Sequence, residues 1–104
     1  MFIRVDVAGG QATLEEPDDC KKFHVEATGA SEGDLDAVVA AMGDWAAGGG
    51  DGHIWVRQDA VRRAAAGRVG DGWQADFDGM VGYAASKGWL NPAGDAIQAH
   101  VVWG

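Results

Sequence analysis

Histidine occurs three times in this chain, at His24, His53 and His100, and each stands in a stretch of alternating apolar residues. Side chains of a strand point alternately to its two faces. If one face carries Phe23, Val25 and Ala27, then Ile54 and Val56, then Ile97, Ala99, Val101 and Trp103, it is the face that packs on a core. The opposite face then receives Lys22, His24 and Glu26 from one strand and His53, Trp55 and Arg57 from a second. A third adds Gln98, His100 and Val102. Phe2 and Arg4 join them if the first strand pairs in the matching register.

Such a face has three readings. As a chemical site, His24, His53 and His100 are the candidate acid–base groups, because an imidazole ordinarily titrates near neutral pH. Glu26 would orient a neighbouring ring, Arg57 would hold an anionic group, and Trp55 would form an apolar wall. As an interface, Trp55, Arg57 and Gln98 are the expected contacts, since Trp and Arg are enriched where proteins meet. As plain surface, the face is solvent-exposed with Trp55 partly shielded. The histidines lack the local spacing of a metal site, so no metal and no cofactor is expected.

The elements that would position these residues follow from pattern. Residues 2–7 alternate as a strand, 8–11 form a turn, and 12–14 can return as a short second strand. Pro17 interrupts an acidic loop over 15–19. Residues 22–28 form a clearer strand. Ser31 with Asp34 resembles a capping box, and Leu35, Val38, Val39, Met42 and Trp45 make one helical stripe. Residues 48–52, nearly all glycine, are expected to be a flexible loop. A strand over 53–57 leads to a short helix, 60–66, capped by Asp59 and stopped by Gly67. A further helix begins at Asp71, with Trp73, Phe77, Met80, Val81 and Ala84 on its stripe and Gly88 as its left-handed cap. Gly79 and Gly82 suggest a close helix contact, and Asp59 is expected to pair with Arg62. Residues 96–103 form the final strand. The expected fold is a single α+β domain over 1–104, a two-layer sandwich of ferredoxin-like or related type. It has a mainly antiparallel sheet of 4–5 strands and 2–3 helices on one face.

Composition bounds the function. The 104 residues carry a net charge of −8. All of it resides in residues 1–52, where Arg4, Lys21 and Lys22 face eleven acids, while residues 53–104 balance five against five. The charge argues against nucleic acid and anionic membrane as partners. A single cysteine, Cys20, rules out an internal disulfide. No apolar run approaches the roughly 18–20 residues of a membrane span, and the first residues lack a signal-peptide layout. A cytoplasmic location is therefore expected. Gly48–Gly50 lacks the lysine and the strand-to-helix setting of a phosphate loop, and neither serine has a nucleophile's surroundings. The leading expectation is a binding or interaction module that forms a homodimer through the second sheet face. A small cofactor-independent enzyme using histidine on that face is one alternative. An acidic inhibitor or immunity-type protein that masks a basic partner is another. Besides a second copy of the chain, the partners considered are a basic protein or a small molecule.

Overall fold

The computed structural model describes residues 1–50 and 52–104. Six strands and three helices follow the order β1 (Phe2–Asp6), β2 (Gln11–Glu15), β3 (His24–Thr28), α1 (Leu35–Met42), a short 3-10 turn (Gly43–Trp45), β4 (Ala46–Gly50), β5 (His53–Arg57), α2 (Gln58–Ala65), α3 (Trp73–Ser86) and β6 (Ala96–Trp103). They form one sheet in the order β2-β1-β3-β6-β5-β4. The three central strands β1, β3 and β6 run parallel, and the outer pairings are antiparallel. Among the described residues, no helix is long and apolar enough to cross a membrane.

This corrects the two-layer sandwich. The fold remains α+β, but the sheet is mixed, has six strands and curls into a half-barrel. The curl shows in α1, an eight-residue helix that touches both edge strands, β2 and β4, as well as β1 and β5. In a flat sheet those edges would stand about 24 Å apart, twice the roughly 12 Å length of such a helix. The sheet therefore wraps the helix, and one core cluster fills the inside. Ile3, Val5, Val25, Val38, Ile54, Val56, Val61 and Phe77 are fully buried there.

Several local expectations also change. β3 begins at His24, so Lys22 lies before the strand, where its carbonyl accepts a hydrogen bond from the N-terminal ammonium. Asp34, not Ser31, caps α1, its carboxylate accepting the Ala37 N–H. The helix stops at Met42, and Trp45 sits in the 3-10 turn. Gly48–Gly50 is no free loop but part of edge strand β4. Pairing with β5 supplies the order that side chains do not, and a register shift between Ala46 and Gly49 bends the strand. Asp51, placed in that loop on sequence grounds, lies outside the described residues. α2 starts at Gln58, one residue ahead of the expected Asp59 cap. Arg62 reaches across to Asp78, 2.7 Å away, and to Gln74 on α3 rather than back to Asp59. Gly79 and Gly82 face open space and make no close helix contact. Gly88 does adopt the left-handed conformation, φ +75°.

Candidate functional site

The register decides which side chains share a face. Phe2 lies beside His24 and Arg4 beside Glu26 in the parallel β1–β3 pair. Val25 lies beside Val101 and Glu26 beside Val102 in the parallel β3–β6 pair. His53 lies opposite His100, and Trp55 opposite Gln98 in the antiparallel β5–β6 pair. Since Ile3, Val25, Ile54 and Ala99 point into the half-barrel, their neighbours point outward. His24, His53 and His100 therefore occupy the same face, together with Glu26, Trp55, Arg57, Gln98, Phe2, Arg4 and Val102. The condition on the first strand is met, because Phe2 and Arg4 pair in the matching register.

Along one row, Phe2 stacks on His24 with ring centroids 5.0 Å apart, and His24 stacks on His100 at 5.7 Å. His53 is next in the row, opposite His100, and meets Trp55 edge-on at 4.9 Å. The Arg4 guanidinium stands 5.4 Å over the Phe2 ring and 3.6 Å from a Glu15 oxygen. Phe2 is 8% exposed despite its outward position. His24 Nε2 lies 3.0 Å from Glu26 Oε2, so the Nε2–H tautomer donates to the carboxylate. That pair spans i to i+2 on one strand, the spacing that puts two side chains on one face. Parallel rings and an oriented imidazole make a semi-rigid aromatic surface, which loses little conformational freedom when something docks on it.

The chemical reading needs more than a shared face. His24 and Glu26 do form an oriented pair, but Trp55 and Arg57 lie two strands away, beyond β6. Among the described residues, no three His, Cys, Asp or Glu side chains are gathered as a metal ion would need. A different concavity runs along α3. One part, about 840 Å³, is lined by Asp18, Asp19, Lys21, Asp76, Met80 and Tyr83 among others. A second, about 320 Å³, includes Phe23, Tyr83, Trp89, Gln98 and His100. His100 and Gln98 thus belong both to the sheet face and to the groove's rim, whereas His24 and His53 do not line the groove.

Pattern reading missed the groove. β6 extends past the start of β3, and the segment after α3 fills the gap, with Gln98 N–H donating to Trp89 O at 2.7 Å. No periodicity announces that junction. A signal was nonetheless available: Tyr83 falls off the apolar stripe of α3, and Trp89 follows its cap. They are 58% and 40% exposed, and an off-stripe aromatic beside another marks a surface that is not ordinary core.

Compared with protein-family models, with curated proteins and with solved structures, the chain matches none.

Proposed function

We propose that the protein is a binding module that self-associates through the outward sheet face bearing His24, His53, His100, Trp55, Arg57 and Gln98. The observation that carries this reading is the continuous ring row from Phe2 through His24 to His100 on the outward sheet face. Charge supports it. Arg4 and Arg57 oppose Asp6, Glu15 and Glu26, so the face holds only −1 of the chain's −8. Two copies that meet there therefore repel little. Val102, 43% exposed on the same face, adds apolar area.

The curl limits how much of the face two copies bring together. The dimer belongs to the weak class, burying less than about 1,200 Å² in total with a dissociation constant in the micromolar range. Sedimentation velocity over a concentration series tests it. A monomer–dimer equilibrium that Trp55→Glu or Val102→Glu abolishes is the expected result. A strictly monomeric chain near 1 mM, or a dimer indifferent to both substitutions, overturns it.

A cofactor-independent enzyme remains the second reading, favoured by one observation, the carboxylate-oriented imidazole of His24. In that role Glu26 holds the ring and His24 exchanges the proton.

A further inference from the structure

The groove along α3 joins two chemistries. Its two parts share Lys21, Met80 and Tyr83, so they form one open trench. One end is apolar and aromatic, with Phe23, Trp89 and Ile97. The other carries Asp18, Asp19 and Asp76 against a single lining cation, Lys21. Asp19 is already engaged, accepting the Lys21 N–H at 2.9 Å with the N-terminal ammonium 3.8 Å away. Asp18 and Asp76 make no ion pair among the described residues.

Among the described residues, three large apolar side chains are notably exposed, and two of them, Tyr83 and Trp89, lie here, edge to face at 6.0 Å. Lys87 already stands 5.6 Å over the Tyr83 ring. The chain's own ammonium shows that this ring face accepts a cation. An exposed aromatic pair beside unpaired carboxylates is complementary to one kind of occupant, a chain carrying both apolar and cationic side chains.

We infer that this trench docks a basic peptide segment of a partner protein, one apolar or aromatic side chain seated between Phe23, Tyr83 and Trp89 and flanking Arg or Lys side chains meeting Asp18 and Asp76. The two joined parts, one apolar and one acidic and open, favour a peptide over a small ligand. The small apolar end holds about 320 Å³, the liquid volume of roughly ten waters, and so takes one large side chain. The larger acidic end, about 840 Å³, is open and suits a chain continuing along the surface. The chain's net negative charge, all of it in residues 1–52, steers such a partner toward the half of the chain that carries Asp18. The trench borders the self-association face at Gln98 and His100, but the side chains assigned to the peptide, Asp18, Phe23, Asp76, Tyr83 and Trp89, lie outside that face.

The test uses the full chain and a fluorescein-labelled synthetic peptide with one central phenylalanine flanked by two arginines on each side. Fluorescence anisotropy at low salt reads affinity, and amide and indole NMR shifts read location. The expected result is micromolar binding that shifts the Trp89 indole and α3 amides. Replacing the peptide's phenylalanine by glycine should weaken binding at least about tenfold. The double variant Asp18→Asn, Asp76→Asn should weaken it at least about fivefold and flatten its salt dependence. Asp36→Asn with Glu32→Gln, an equal charge change elsewhere, should stay within about twofold. Trp89→Ala should lose binding, and the carboxylate pair keeps the test decisive if that variant misfolds. The inference is overturned if the peptide does not bind, if both charge-neutralised variants weaken alike, if the shifts fall elsewhere, or if phenethylamine alone binds as tightly as the peptide.

Discussion

Trp73 is the side chain that ties the acidic loop to the fold, and replacing it with phenylalanine tests that tie. The indole is 4% exposed, stacks on Phe77 at 4.9 Å with an interplanar angle of 11°, and donates from Nε1 to the Pro17 carbonyl at 2.6 Å. Trp73→Phe keeps the stack but removes the donor and trims the ring. A lost hydrogen bond that leaves a half-buried carbonyl without its protein partner costs about 1–2 kcal/mol. The void left by the smaller ring adds about 1 kcal/mol. Together these make about 2–3 kcal/mol, a large share of the roughly 5–15 kcal/mol that holds a domain folded. At about 4–8 °C per kcal/mol for a chain of this size, the melting temperature should fall by about 8–24 °C. Far-UV circular dichroism melts and urea titrations measure it, with an unchanged urea slope. Trp55→Phe is the control. Trp55 is half-buried on the outward face, so its change should stay near about 0.5 kcal/mol. The reasoning fails if Trp73→Phe melts within about 3 °C of the parent, or if the two variants are equally destabilised. Success has a functional corollary, because the loop that Trp73 secures supplies Asp18, Asp19 and Lys21 to the trench.

The other predictions concern single groups. Gly29 adopts φ +77°, and a Cβ there would stand 3.1 Å from both the Ala8 nitrogen and its Cβ. Gly29→Ala should therefore cost about 1–3 kcal/mol in urea unfolding, while an alanine at Gly79, which meets open space, should be neutral or stabilising. Burial first, and then the Asp76 carboxylate, push the Cys20 thiol above its ordinary value. Iodoacetamide should thus alkylate the folded chain more slowly than the urea-unfolded chain at pH 9.0, and equal rates would contradict the assignment. The sign for stability follows: the raised thiol costs nothing at neutral pH, and the folded state loses ground once the pH passes 9.0, an alkaline loss that Cys20→Ser should remove. Asp19 moves the other way, held low by the Lys21 backbone N–H and then by the N-terminal ammonium. Its contribution is present above pH 3.8 and is lost as the pH falls through the lower folded value, so Asp19→Asn should flatten the acid limb of a melting-temperature profile.

Much of the candidate face was legible because side-chain parity is a local property. The alternations 24–28, 53–57 and 96–103 each specify which residues face a core, and the structure puts His24, His53 and His100 together as those patterns require. Polar partners were less legible. The Asp59–Arg62 pairing looked natural on one helix turn, yet Arg62 finds Asp78 on α3, because packing two helices brings that carboxylate within 2.7 Å.

Pairing, direction and curl were beyond local pattern. The strands β1 and β3 alternate identically whether they run parallel or antiparallel, and only the crossover geometry makes the sheet's centre parallel. Ala46–Gly50 carries no apolar alternation at all, and it is a strand because β5 offers it backbone partners. The trench belongs to the same class. It exists because α3, the loop before β3 and the start of β6 meet at one corner of the half-barrel, and residues as far apart in sequence as Lys21 and His100 come to line one groove. The order of residue types along the chain determines which way each side chain points from its own backbone. Which backbones lie side by side is settled by long-range burial and hydrogen bonding, whose free energy depends on every element at once.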